Sequence, residues 1–230
     1  MKYQVEIRLL KSTQEQILAR EIFDSIWNKD VGTEITSNLL QAMVHNGAYL
    51  SGAFMDEKIV GASFGFAAVE PELHLHSHMT AVLPEYQDQN IGCQLKLHQK
   101  DWARTNGFLS VSWTFDPLVA RNANFNINKL GAKITNYYAN FYGAMDDELN
   151  AGDDSDRLLA RLATNEKEPK RNFEKLELIS IPKEIVAIRK KDLKEALKLR
   201  FEVREKFIDL LKNGYHVIGF TENSEYQLGK

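Results

Sequence analysis

The chain has little of several features that mark particular classes of protein. Among its 230 residues there is one cysteine, Cys93, so no intramolecular disulfide can form, and this usage fits a reducing compartment. No stretch approaches the roughly 20 apolar residues that a membrane-spanning helix needs. Residues 1–8 lack the apolar core of a signal peptide. We therefore predict a cytoplasmic protein without a membrane partner.

An excess of charge of either sign is also missing. The chain has 29 Lys and Arg residues against 32 Asp and Glu residues, and its formal net charge is -3. The basic runs are short and interleaved with acids, so nothing favours a nucleic-acid partner. A hydrophobic content of 43% and a charged content of 27% are typical of a soluble globular protein. The length allows one domain with a substantial extension.

Histidines occupy every second position of a predicted strand that leads directly into a turn and a helix. Alternate residues of a strand share one face, so His74, His76 and His78 are expected to point the same way. A helix is predicted from about Ile91 to Thr105, and the free backbone N–H groups of a helix start bind phosphate well. The segment therefore places titratable groups beside an anion site.

The flanking sequence predicts alternating helices and strands. Capping residues, apolar periodicity and polar turns give the boundaries. We predict a strand over residues 4–10, a helix after the capping box Ser12-Thr13-Gln14-Glu15, a helix over Thr36–Val44, strands over Tyr49–Met55 and Lys58–Val69 joined at Asp56-Glu57, a strand over Phe108–Phe115, and a helix ending in Lys129-Leu130-Gly131-Ala132.

The last third of the chain changes character. Residues 146–172 are first acidic and then basic, which indicates a polar crossing segment with a short element at Arg157–Leu162. Beyond it we predict a strand over Ile185–Ile188, a helix capped by Asp192 and a strand over Tyr215–Phe220. Residues 173–230 are thus expected to form a strand-helix-strand extension. It is expected to pack on the preceding domain or on a partner subunit, which leaves a homodimer open.

The turn after the histidine strand resembles the acyl-CoA pyrophosphate loop of the GNAT superfamily of N-acyltransferases. That loop has the pattern Arg/Gln-x-x-Gly-x-Gly/Ala after a strand ending in Val-x-Pro, and Asn90 stands here at its first glycine. The residues that match are Val82, Pro84, Gln87 and Gly92. Asn tolerates positive φ well, so the loop can still form. The resemblance covers roughly residues 4–145 and looks like a bacterial subgroup described as predicted acetyltransferases.

The resemblance implies an α+β fold, in which a mixed central sheet with splayed fourth and fifth strands is flanked by helices. Residues 1–145 would form this acyltransferase domain. Its co-substrate would be acetyl-CoA or another acyl-CoA, with pantetheine along the fourth strand near Met79 and pyrophosphate on the loop, helped by Lys96 or Lys100. The cofactor-binding residues implied are Thr80, Ala81, Val82, Gln87, Asp88, Gln89, Asn90, Ile91, Gly92, Cys93 and Asn122.

For catalysis the resemblance points to His76 and His78. These residues lie 11 and nine positions before the Gln87 of the loop, where the superfamily often has its general base and where arylalkylamine N-acetyltransferases have a His-x-His pair. Histidine suits proton transfer near neutral pH. The pair is expected to act as base or as the two ends of a water relay. The alternative is that both histidines simply line a half-buried sheet face.

Other assignments stay open or are disfavoured. The superfamily's usual general acid is a tyrosine at the position of Ile127, so Tyr138 and Tyr142 are considered as substitutes. Asp116 fits either an ammonium anchor or a turn residue. Two strand histidines can share a zinc ion, but no carboxylate or cysteine has a matching local spacing, and we predict no metal.

The predicted function is transfer of an acyl group from CoA to the amine of a small molecule or amino acid. Two alternatives are kept. One is a CoA-binding regulatory protein without turnover, which the residue Ile127 favours. The other is a succinyl-CoA-dependent amino-acid acyltransferase, because the loop contacts CoA and does not measure the acyl chain.

Overall fold

A computed structural model describes residues 4–27, 35–143, 152–165 and 173–230. It divides into two compact units, one of residues 1–112 with 163–165 and the other of residues 113–162 with 166–230. The domain limits predicted from the sequence stay predictions. Every helix within the described ranges is too short or too polar to cross a bilayer.

The first unit opens with a short strand and two capped helices. Strand β1 covers Glu6–Leu9, and helix α1 (Thr13–Ile26) follows Ser12. The predicted capping box is confirmed, since the Ser12 side chain accepts from the Glu15 N–H and the Glu15 side chain accepts from the Ser12 N–H. Helix α2 (Ser37–His45) begins after Thr36, whose hydroxyl caps it.

Four further strands complete the sheet of this unit. They are β2 (Tyr49–Met55), β3 (Lys58–Ala68), β4 (His74–Val82) and β5 (Ser110–Phe115). Only the first half of β5, up to Ser112, belongs to this unit. The order is β1-β2-β3-β4-β5, antiparallel except for the parallel pair of β4 and β5. The predicted mixed sheet is thus confirmed.

Helices cover both faces of this sheet. Side chains of α1 and α2 form one core cluster with alternate residues of the strands, among them Leu50, Phe64 and Met79. Helix α3 (Ile91–Thr105) packs on the opposite face, where Ile91 and Leu95 meet Ala53, Met55 and Val60. Apolar residues facing both ways along β2 and β3 require this double cover.

Strand β4 carries a bulge and parts from β5 early. Phe64 of β3 lies opposite Met79, but Gly65 lies opposite Ser77, so His78 is the extra residue. A side chain at Gly65 would place its Cβ 2.8 Å from the carbonyl oxygen of His76, so the close approach here requires glycine. Pairing with β5 is confined to the first half of β4, which is the splay expected of the fold.

In its described residues, the second unit contains two groups of strands and three helices. β5 is followed by a short helix α4 (Ala120–Asn124) and a π-helical turn over Phe125–Lys129. Strands β6 (Lys133–Tyr138) and β7 (Arg157–Ala163) are antiparallel, in the order β5-β7-β6. The remaining elements are β8 (Leu176–Ser180), α5 (Ile185–Lys191), α6 (Leu193–Lys212), β9 (His216–Phe220) and β10 (Glu225–Gly229), whose strands form a sheet in the order β8-β10-β9.

The second unit corrects part of the sequence prediction. The segment Ile185–Ile188 is a helix, not a strand, because it continues into three basic residues that suit a helix C-terminus. A four-residue apolar run does not distinguish a strand from a buried helix turn. Strands β6, β8 and β10 were not predicted. The helix after Asp192 is confirmed, with the Asp192 side chain accepting from the Glu195 N–H.

Candidate functional site

The candidate site of the first unit centres on a row of three side chains across the sheet. His76 of β4 lies opposite Phe66 of β3 on one side and opposite Ser112 of β5 on the other. Residues directly opposite one another in a sheet project to the same face. The Phe66 and His76 rings are 5.2 Å apart between centroids. The imidazole therefore has an aromatic neighbour on one side and a hydroxyl neighbour on the other.

His78 joins this face through the bulge. Its ring centroid lies 6.1 Å from that of His76 and 5.8 Å from that of Phe66. The predicted common face of His76 and His78 is present, while Ser77 between them points to the α3 side. His76 is half-buried and His78 is exposed. The pair thus leads from the interior of the sheet face to its surface.

Both imidazoles are held neutral. Burial, together with the nearby His78, His74 and Lys96, lowers the pKa of His76 to about 4. The pKa of His78 is also lowered, because Phe64 and Phe66 displace water from one side of its ring. At neutral pH each ring therefore has an unprotonated nitrogen that can accept a proton.

His74 is placed differently from the other two histidines. It is buried, and its Nδ1 lies 2.8 Å from the carbonyl oxygen of Glu72. A carbonyl oxygen only accepts, so Nδ1 carries the hydrogen of that bond. Burial lowers the pKa of His74 as well. These contacts assign His74 a structural place at the start of β4.

The loop after β4 leads into α3 through residues with a left-handed backbone. A 3-10 turn over Pro84–Tyr86 is followed by two residues with positive φ, Asp88 at 63° and Asn90 at 66°. Asn90 directly precedes α3 and makes no capping bond with its side chain. The first N–H groups of α3 are therefore not capped by Asn90. The Gln87 side chain donates to the Val82 carbonyl at 3.2 Å, so it supports the turn from within.

The edge of β4 beyond His76 has no described strand partner on the β5 side. The pairs with β5 are Leu75 with Val111 and His76 with Ser112. Residues 77–82 continue past that point, and they include the predicted pantetheine edge, Thr80 to Val82. The Thr80 hydroxyl itself lies 2.9 Å from that of Ser63. What this edge offers to a ligand is thus its backbone.

Lys96 and Cys93 of α3 point into the protein. The Lys96 ammonium group is buried and donates to the Ser77 hydroxyl at 2.6 Å, and burial lowers its pKa to about 7. This position directs Lys96 under the sheet, which differs from the expected phosphate contact. Cys93 is a buried free thiol near the start of the helix.

The candidate residues of the second unit are described separately. Asn122 lies exposed on α4, and Ile127 lies in the π-helical turn. The Tyr142 hydroxyl is 3.1 Å from that of Thr114. Asp116 accepts from the Leu118 N–H at 2.8 Å, which fits the turn interpretation.

The carboxylate of Asp116 is also occupied by arginine. Arg200 donates to both of its oxygens, at 2.7 and 2.9 Å, and Arg189 donates to one of them at 3.1 Å. An ammonium anchor at Asp116 is therefore not what the structure contains. Over the described ranges, no group of three or more His, Cys, Asp or Glu side chains is arranged to hold a metal ion.

Sequence reasoning missed two neighbours of His76. Phe66 and Ser112 are one strand away on either side, and their alignment depends on the bulge at His78 and on the parallel register with β5. The alternation of small and aromatic residues in Ser63–Phe66 was a visible sign of close packing on β3. It contained no information on which residue faces His76.

A family comparison agrees with this geometry. Residues 16–126 match the profile described as the acetyltransferase (GNAT) family. Residues 16–126 belong to the GNAT superfamily. No curated protein sequence matches the chain.

Solved structures share the fold at low identity. A GNAT-family acetyltransferase from Streptococcus pneumoniae is 14% identical with a TM-score of 0.56, and the match covers 70% of this chain and 99% of that one. An aminoglycoside 6'-N-acetyltransferase complexed with coenzyme A is 12% identical with a TM-score of 0.53, covering 71% and 99%. Arabidopsis thaliana Naa50 in complex with the bisubstrate analogue CoA-Ac-MVNAL is 16% identical with a TM-score of 0.54, covering 69% and 98%.

Proposed function

We propose that the chain transfers an acyl group, by default acetyl, from acyl-CoA to the amine of a small molecule or amino acid. One observation carries the proposal. The strand that bears His76 and His78 loses its β5 partner immediately after His76, and then leads into a left-handed Asn90 and the start of α3. An open strand edge and a helix start that the Asn90 side chain does not cap are what a pantetheine chain and a pyrophosphate need.

The co-substrate is assigned by the family and supported by two similar structures. One of those structures holds coenzyme A and the other a CoA bisubstrate analogue. In this chain the loop residues 87–93 would bind pyrophosphate through backbone N–H groups, and residues 80–82 would pair with pantetheine. The exposed Asn122 of the second unit stays a candidate contact. Lys100 is the remaining candidate lysine on α3.

His76 and His78 would remove the proton of the attacking amine. A neutral imidazole can accept that proton, but a base with a pKa of about 4 releases it readily. The half-buried His76 would therefore pass the proton onward, and the exposed His78 would deliver it to solvent. In such a relay the proton passes from the half-buried His76 to the exposed His78 and then to solvent. The thiolate of CoA would leave without a tyrosine at Ile127.

For the acceptor we propose a chemical class, an amine, and no particular compound. The similar proteins named above include an aminoglycoside acetyltransferase and a protein bound to a CoA-peptide analogue, so amines of several sizes fit the fold. The aromatic side chains beside the histidines, Phe64 and Phe66, favour an acceptor with an apolar part near its amine. A cytoplasmic location fits the single buried thiol.

Calorimetric titration of the untagged protein with acetyl-CoA, succinyl-CoA and free CoA tests the proposal first. We expect binding of acyl-CoA, followed by turnover when amines are supplied. His76→Gln and His78→Gln should leave acyl-CoA binding within about twofold and lower kcat by roughly a hundredfold or more, because removal of a general base costs about that much.

The other outcomes separate the alternatives. A preference for succinyl-CoA would replace the acetyl donor. Binding without turnover of any amine in a broad panel, and with no effect of either histidine variant, would favour the regulatory alternative that Ile127 supports. Absence of binding to all three ligands would contradict the whole proposal.

A further inference from the structure

Ser112 is buried, but among the described residues its hydroxyl lacks the hydrogen bond that is usual for a buried serine of the core. The residue is 5% exposed, and its hydroxyl oxygen is buried. Within the part of the chain that the structure describes, this hydroxyl has no hydrogen-bond partner. Buried hydroxyls in proteins are nearly always bonded, and leaving one unbonded costs free energy. A small apolar residue would fill the same space without that cost.

The position of Ser112 relates the unbonded hydroxyl to His76. The two residues are paired directly across β4 and β5, and theirs is the last described pair before the strands part. Side chains of such a pair lie on the same face, close enough to be joined by one water molecule. On the other side of His76 the Phe66 ring blocks a polar contact. Ser112 is therefore the polar neighbour on the side where the sheet opens.

We propose that Ser112 is a positioning residue, whose hydroxyl holds a water molecule that connects the His76 imidazole with the acceptor amine. The inference rests on the proposed function, because it assigns a role within the same reaction. The water gives the Ser112 hydroxyl the partner that it lacks inside the chain. It also lets His76 act on an amine that stands at the strand edge rather than in direct contact with the ring.

The charged surroundings of His76 are the same with and without this hydroxyl. The titratable groups that act on the His76 ring are His74 and His78 on β4 and Lys96 on α3. The ring that packs against it from β3, that of Phe66, is apolar. Replacing Ser112 by alanine removes a hydroxyl and no charge, so an effect on His76 would come from the lost hydrogen bond.

The test compares Ser112→Ala with Ser110→Ala. Ser110 lies two residues earlier on the same strand and is equally buried, so it is a matched control for the loss of a hydroxyl. With the amine that the wild-type protein acylates, we expect Ser112→Ala to lower kcat by about tenfold to a hundredfold. The KM for acyl-CoA should stay unchanged, and the urea midpoint should not fall, because the hydroxyl has no bonding partner among the described residues. Ser110→Ala should keep its kcat.

A second measurement does not depend on turnover. The His76 ring resonances, assigned with His76→Gln, are followed by NMR over the acidic pH range. We expect Ser112→Ala to shift the His76 titration midpoint and Ser110→Ala to leave it in place. An unchanged midpoint together with kcat within twofold of wild type would overturn the role of Ser112. Absence of turnover in the wild type would instead contradict the proposed function, and the NMR comparison would still decide on Ser112.

Discussion

The His76 imidazole owes its properties to the side chains around it. Phe66 lies opposite it on β3 and touches both His76 and His78, so one aromatic ring keeps water from two imidazoles. Loss of water disfavours the charged form of each ring. A single substitution on β3 should therefore change the acid-base behaviour of residues on β4.

We expect Phe66→Ala to raise the pKa of His76 from about 4 toward its usual 6.5, because water then reaches the ring. NMR titration of the His76 resonances measures this shift directly. Phe141→Ala removes a ring that is 45% exposed and lies in the other unit, so it should leave His76 unchanged. A His76 midpoint that stays near 4 in Phe66→Ala would show that other groups keep water from the ring.

The loop between β4 and α3 depends on backbone conformation more than on its side chains. Asp88 and Asn90 both have positive φ, and Asn90 is the last residue before the helix. Non-glycine residues seldom adopt this conformation, although asparagine does so more readily than most. The loop shape therefore depends on which residues tolerate it.

Substitution at Asn90 tests that dependence. Asn90→Gly should keep the loop and the affinity for acyl-CoA, because glycine adopts positive φ without strain. Asn90→Ala should destabilise the protein by about 1 kcal/mol, since the Cβ opposes the left-handed conformation. It should also weaken acyl-CoA binding in calorimetry. Equal stability and affinity of the two variants would contradict a role of the Asn90 backbone.

At the scale of the whole molecule, the second unit is held together by a cluster of buried charges far apart in the sequence. Arg200 is 1% exposed and donates to both Asp116 and Asp153, which lie 84 and 47 residues before it. Arg189 donates to the same two carboxylates. The cluster lowers the pKa of Asp116, because hydrogen bonds and charge from Arg200 outweigh the effect of burial.

Removing one member of this cluster should be costly. Arg200→Met should lower the free energy of unfolding by roughly 3 kcal/mol or more, because it leaves two carboxylates buried with one fewer cation. Lys198→Ala on the same helix removes an ammonium group whose side chain is 64% exposed and should change stability by less than about 0.5 kcal/mol. Urea unfolding followed by circular dichroism compares them. Similar midpoints for both variants would show that the cluster contributes little.

Several elements could be predicted from local sequence. The hairpin strand Tyr49–Met55, the helix Ile91–Thr105 and the capping box at Ser12 agree with the structure residue by residue. Each depends on contacts within a few residues, such as a cap, a turn or a period of apolar side chains. The strand predicted for Ile185–Ile188 was wrong, because a run of four apolar residues is too short to show the periodicity of a helix or a strand.

In the candidate site, too, some features could be predicted from the sequence and others could not. The strand, the alternating histidines and the loop with Asn90 follow from the order of residues along the chain, and the family could be inferred from them. The register of β4 with β3 and β5 places Phe66 and Ser112 beside His76 and leaves the edge beyond His76 without a described strand partner. The packing of α3 on the sheet brings Lys96 to Ser77. Pairing between strands and packing of helices join residues distant in sequence, so these contacts became visible only in the tertiary structure.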